Sequence, residues 1–459
     1  MTKTLVKYAM CALIAILTVG EVVGASMAPV NPAFLEWQKR RKIKKTGGSQ
    51  TNVQVRARLL SSMTATDEDE KLDFGLIPEP FDSSYLANLN TGLDCGVQDA
   101  MPSKYDLRTI GCLTPVKDQG SYGTCWAHAT LGALESGLKK SESATYDFSE
   151  NNMANLHGWD WGFNDGGNAT ISSAYLLRWN GPILESYDPY PNPGESTAKT
   201  PVRHVQRVRW IPGRSYYFDL DNIKKALMEC GALHVGYLHD SYFYNSAKSS
   251  YYNFFIQKNS SGSRLTNHAV TLVGWDDSYS KSNFKTQPPG DGAFIVRNSW
   301  GSSWGDDGYF YVSYYDESFA WGTLYAFPGA EPADNYDAIY QYDPLGMFTS
   351  IGYGSATAWG AAMFTASASS KIAAIGFYAL TPSTSYTISV YTGSMASKPC
   401  SGTLRCQQNG KVDEAGYVTV PLAEAPSVSS GTRFSIVIKL TTPGYKYPLA
   451  FEYSFPGYT

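Results

Sequence analysis

Three short segments carry groups able to do chemistry together. Gln119-Gly-Ser-Tyr-Gly-Thr-Cys125-Trp126 ends on a cysteine that opens an apolar run, Asn267-His268-Ala269-Val270 leads into an apolar stretch ending at Gly274-Trp275, and Val296-Arg297-Asn298-Ser299-Trp300-Gly301 follows. A thiol becomes a nucleophile only as its thiolate, and a positive helix N-terminus with a nearby imidazolium stabilises that anion. The run CWAHATLGALESGLKK has good helix formers, no proline and two lysines at its end, so it predicts a helix with its positive pole at Cys125. His268 then serves as the proton acceptor and later donor. Asn298 would orient the ring as the third member of a Cys-His-Asn set. The Gln119 carboxamide, with the Cys125 backbone N–H, would hold the oxyanion.

Order and spacing of these segments resemble the papain family of cysteine peptidases. Tyr105-Asp-Leu-Arg108 and Thr114-Pro-Val-Lys-Asp-Gln119 resemble the start of its mature domain, and Asp165-Gly166-Gly167 its substrate-binding glycine pair. The resemblance implies an α+β fold over 101–330, with a helical lobe bearing Cys125, a β-barrel-like lobe bearing His268 and Asn298, and a cleft between them. It also implies substrate contacts at Gly166, Gly167, Asn168, Ala169, Asn267 and Trp300, with Trp300 and Trp304 shielding the His-Asn bond. Glycines suit such a cleft edge because an extended peptide can approach backbone to backbone. One feature of the family is missing. Tyr122 stands where a cysteine is usual, and Phe163-Asn-Asp-Gly-Gly167 lacks its partner, so that disulfide cannot form.

The remaining histidines receive no role. His234 and His239 are read on one strand with side chains on opposite faces, which argues against a shared metal, and His128, His157 and His204 are read as structural. No metal or cofactor is assigned. A formal net charge of −4 gives no basic field for nucleic acid.

Length and pattern divide the chain further. At 459 residues it exceeds one ordinary core. Lys3 and Lys7, the apolar stretch 8–19 and Val23-Gly24-Ala25 read as a secretory signal over 1–25, cleaved after Ala25 and too short for a stable membrane span. Residues 26–100 read as a pro-segment. Phe34, Leu35 and Trp37 fall on a short amphipathic helix, and Phe74-Gly-Leu-Ile-Pro-Glu-Pro-Phe81 is an extended strip of a kind that lies in a protease cleft, a disordered linker being the competing reading. A Pro-rich boundary at 327–333 precedes alternating strands, Tyr386–Tyr391 and Phe434–Leu440, which predict an independently folding antiparallel β-sandwich over 331–459. It resembles lectin-like domains appended to some prokaryotic papain-like proteases, which implies a glycan or cell-surface ligand. Trp359 is assigned to the sandwich core in preference to a sugar platform.

Of seven cysteines, Cys400 and Cys406 stand close enough to bridge, while Cys95, Cys112 and Cys230 form an odd set. The expected protein is a secreted or cell-envelope thiol protease acting on polypeptide. Its rival is a secreted carbohydrate- or surface-binding protein with an inactive peptidase-like scaffold, and retention of Gln119, Cys125, His268 and Asn298 argues against that.

Overall fold

The computed structural model describes residues 8–13, 24–45, 74–89, 101–259, 262–393, 395 and 398–454. Its α-helices are Pro32–Lys45 (α1), Cys125–Glu142 (α2), Glu150–Leu156 (α3), Ala169–Leu177 (α4) and Asp221–Cys230 (α5). The run expected to be helical after Cys125 is α2, which places Lys139 and Lys140 in its last turn, where cations complement the helix dipole. Side-chain caps start the next two helices. Ser149 accepts from the Asn152 N–H and Asn168 from the Ile171 N–H. Trp126, Leu131, Leu134 and Leu138 of α2 share one core with Phe148, Met153, Ile171 and Leu176, and this is the helical lobe.

Strands Leu233–Tyr237, His268–Asp276, Ala293–Arg297 and Tyr309–Ser313 run antiparallel in that order. His268–Asp276 is buried at every position because α2 packs against it and α5 also contacts it, so residues 269–275 are apolar but for Thr271, where an exposed strand would alternate. Val270, Leu272, Trp275, Phe294 and Phe310 form the second core.

The C-terminal region is all β. Strands Thr357–Thr365, Arg433–Thr441, Ser370–Ala379, Thr384–Thr392, Thr403–Val412 and Gly416–Pro421 enclose a core of Phe364, Ile375, Phe377, Ile388, Val390, Phe434 and Ile436. The expected alternation is seen in Arg433–Thr441. Trp359, however, is 57% exposed, because on Thr357–Thr365 it occupies the outward register while Ala358 and Gly360 point in.

This region shares a sheet with the peptidase region. Gly416–Pro421 pairs antiparallel with Arg203–Ile211 of the peptidase region, which in turn pairs with Leu324–Pro332, so one sheet runs through both. Leu324–Pro332 itself crosses the expected boundary. Its register shifts between Ala326 and Gly329, a bulge that absorbs Pro328, whose missing N–H would otherwise break the ladder.

The N-terminal segment is ordered by both regions. Ser26–Met27 pairs with Thr349–Gly352, Phe34 meets Phe348 edge-on at 5.9 Å, and Tyr85 stacks on Tyr445 at 4.0 Å. Residues 8–13, inside the stretch read as an export signal, form a strand lying parallel to both Ala338–Tyr340 and Ser370–Ala379. Residues 1–7 and 14–23 of that stretch, residues 46–73 and 90–100, the acidic run at Asp67–Glu70 and Cys95 lie outside the described residues.

Cys112, Cys125, Cys230, Cys400 and Cys406 are free thiols. The bridge envisaged between Cys400 and Cys406 is not made: Cys406 is buried in the sandwich core, whereas Cys400 is exposed in the preceding turn.

Candidate active site

Cys125 is the first residue of α2 and is fully buried, with the Ala269 N–H donating to its sulfur at 3.4 Å. The donor follows His268 directly, so strand His268–Asp276 is the element that brings imidazole and thiol together. His268 Nε2 lies 2.8 Å from Asn298 Oδ1. Asn298 follows strand Ala293–Arg297, and its carboxamide oxygen also accepts from the Ser299 N–H at 2.9 Å. Trp300 stacks on the imidazole at 4.8 Å and 16°, Trp304 stands perpendicular to Trp300 at 5.0 Å, and His268 and Asn298 are both buried. Burial pushes His268 down to about 4, with the Asn298 bond opposing the shift.

Gln119 is held at both ends of its carboxamide. Ser299 Oγ donates to its oxygen at 2.6 Å, and its nitrogen donates to the carbonyls of Tyr122 at 2.7 Å and of Phe74 at 3.2 Å. The Phe74 and Tyr122 carbonyls thus take up the donor capacity of the Gln119 amide. The Phe74 ring covers the catalytic candidates, 5.1 Å from both His268 and Trp300.

The strip 74–81 occupies the cleft in extended form. The Gly167 N–H donates to the Gly75 carbonyl at 2.8 Å and the Ile77 N–H to the Gly167 carbonyl at 3.0 Å, a parallel bridge centred on Leu76. Gly166, at φ +91°, could carry no side chain there, since a Cβ would stand 2.7 Å from the Gly75 carbonyl oxygen. Gly167 is required by its other face, where a Cβ would enter the Trp126 ring. Asn168 donates to the Pro78 carbonyl at 3.3 Å while capping α4, and Ala169 is buried at the start of that helix. The Asn267 carbonyl accepts from the Leu76 N–H at 3.4 Å, and its side chain is turned away to bind the His239 backbone.

Residues not foreseen complete the cleft. Leu76 lies over Gly236, where a Cβ would come within 2.8 Å of it, and a cavity of about 580 Å³ continues past Thr266 to Tyr325. The Glu79 carboxyl accepts from the Tyr325 hydroxyl, and desolvation raises it to about 7 against that bond. His239 lies beyond its strand, edge-on to Trp300 at 4.9 Å. These contacts join segments far apart in the chain, and no local spacing announces them. Where the resemblance implies a disulfide, Asn164 Oδ1 accepts from the Gly123 N–H at 2.6 Å and Tyr122 packs edge-on against Phe163 at 5.3 Å. Among the described residues, no group of three or more His, Cys, Asp or Glu side chains could hold a metal ion, and no helix is long and apolar enough to cross a membrane.

A helical lobe and a β lobe meeting at this Cys-His-Asn cluster match the model described as "Papain family cysteine protease" over residues 101–320, and residues 339–459 match "Lectin like domain". The chain belongs to the papain family of cysteine proteases. It is 33% identical over 220 residues to Cysteine proteinase 3 of Entamoeba histolytica, covering 47% of this chain and 63% of that one. With the Cathepsin L-like proteinase of Fasciola hepatica it shares 30% over 247 residues, covering 50% and 68%. The chain thus spans about two thirds of the length of these relatives. The fold is that of the cysteine protease and lectin-like domains of Cwp84, a surface layer associated protein of Clostridium difficile, with a TM-score of 0.73, 23% identity and coverage of 95% of this chain and 90% of that one. Cwp84 after propeptide cleavage gives 0.64 at 27% identity, covering 78% and 89%.

Proposed function

We propose that this chain is an exported cysteine peptidase held latent by its own residues 74–89. In the opened cleft the Cys125 thiolate attacks a peptide carbonyl, the carbonyl oxygen is received by the Gln119 amide and the Cys125 N–H, and His268 passes its proton to the leaving amine. Water then attacks the acyl-enzyme, His268 acting as base, and the thiol is regenerated. The observation that carries this reading is the Gln119 bond to the Phe74 carbonyl, a protein peptide group bound in the place a substrate's would take.

Latency explains the lowered basicity of His268. Phe74 and Trp300 keep water from the ring, which favours a neutral pair, and displacement of Phe74 readmits the solvent that an imidazolium needs. Export rests on the signal-like residues 1–25, cleaved after Ala25, and the surface-layer association of Cwp84 supports a place outside the cytoplasm. The lectin-like region supplies a surface for a glycan or cell-envelope ligand. Exposed Trp359, with the Lys439 ammonium 5.2 Å from its ring, is the aromatic a sugar face would stack on.

An irreversible epoxysuccinyl probe tests the reading. Cys125 should be labelled, with matching loss of peptide hydrolysis, only after residues 26–100 are removed. Processed chain that neither hydrolyses peptides nor takes the label would leave the binding-protein reading in its place.

A further inference from the structure

Beside Asn298 lies a small pocket of about 20 Å³, lined among others by His128, Asn298, Ala269, Lys117, Glu135 and Glu150. Two buried polar atoms reach it without a protein partner, His128 Nε2 and Asn298 Nδ2. The structure makes no hydrogen bond between them. A cavity of this size holds one water, which needs roughly 10–15 Å³ and two or more polar partners.

The chemistry of the two atoms is complementary. His128 Nδ1 lies 3.0 Å from the Thr124 carbonyl, which can only accept, so Nδ1 carries the proton and Nε2 of the neutral ring presents a lone pair. Burial holds the ring neutral, pushing it down to about 3. Asn298 Oδ1 is committed to His268 and the Ser299 N–H, which leaves its Nδ2 to donate on the cavity side.

We propose that His128 is a positioning residue for Asn298, acting through one bound water that accepts from Asn298 Nδ2 and donates to His128 Nε2. The relay runs from His268 through Asn298, the water and His128 to the Thr124 carbonyl, the residue that precedes Cys125. It fixes which way the Asn298 amide faces. Were the amide reversed, its NH₂ would confront the Nε2–H of His268, donor against donor, and the imidazole would lose its orienting bond. An acceptor behind Asn298 favours the productive arrangement. The proposal rests on Asn298 orienting His268.

The test uses the full chain after removal of its pro-segment. His128→Phe should lower kcat about three- to tenfold, the worth of one hydrogen bond, with KM and melting temperature near those of the parent. His128→Gln, which restores an acceptor, should recover most of the loss. In an Asn298→Ala background His128→Phe should change nothing further. Equal losses in both backgrounds, or a Gln variant no better than Phe, would overturn the proposal while leaving the role of Asn298 intact. An Asn298→Ala enzyme as active as the parent would overturn that role and the proposal with it. Independently of any variant, a high-resolution crystal structure of the parent should place a water within hydrogen-bond distance of both nitrogens, and an empty cavity there overturns it.

Discussion

The Gln119 side-chain nitrogen donates to the main-chain carbonyl of Phe74 at 3.2 Å, so the amide proposed to receive the substrate oxygen is engaged by the protein's own chain. On the proposed mechanism the same group is a latch before activation and a catalytic donor after it. Gln119→Ala should lower kcat of the processed enzyme by about 10²- to 10³-fold with little change in KM. Cys125→Ala should abolish hydrolysis outright, while Asn298→Ala leaves a measurable fraction. Comparable loss in Cys112→Ala, a partly exposed thiol outside the site, would contradict the assignment.

Latency should depend on Gly75. It sits at φ +107°, and a Cβ there would come within 2.1 Å of the Gly123 carbonyl oxygen, immobile backbone next to the nucleophile's helix. Gly75→Ala should therefore expel the strip and give unprocessed chain with peptide-hydrolysing activity close to that of processed enzyme. Unprocessed parent and variant compared on one fluorogenic peptide decide it.

Latency should also weaken as pH rises. Burial lifts the Glu79 carboxyl from 4.5 to about 7 in the docked segment, so the docked form binds the proton more tightly than the free one. Docking is then strongest below about 4.5, is lost progressively from there to about 7, and is weakest above, a difference of about 3 kcal/mol. A separate peptide covering 74–89 should inhibit processed enzyme less well at pH 8 than at pH 5. Glu79→Gln in that peptide should flatten the dependence, and an unchanged slope would show that another group sets it.

The two regions should not be separable. Ending the chain at residue 330 removes strand Gly416–Pro421 from the edge of Arg203–Ile211 and uncovers Trp210, Tyr325 and Val208, all in the core it helps to close. Expression of 101–330 should yield aggregated protein or a monomer melting well below the full chain. A soluble, fully active fragment melting like the parent would show that the shared sheet is dispensable.

How much of this was legible in the chain differs by the range of the interaction. Cys125, His268, Asn298 and Gln119 could be singled out because each sits in a short segment whose local chemistry has few other purposes, and the structure brings all four together. Helix α2 and strands such as Ala293–Arg297 follow from local pattern, apolar period and the absence of proline. Tertiary packing decided the rest. Trp359 alternates like a core residue, and only the register of its strand turns it outward. Pro328 read as a boundary because proline ends most strands, yet a bulge accommodates it and carries the sheet across. Gly236, Thr266, Tyr325 and His239 reach the cleft from strands and loops whose pairing partners lie far along the chain, and His128 lines one pocket with Asn298 only because α2 lies against strand His268–Asp276. Residue type and spacing determine what a group can do, whereas which groups share a cavity depends on long-range pairing, and sequence-local forces do not encode that.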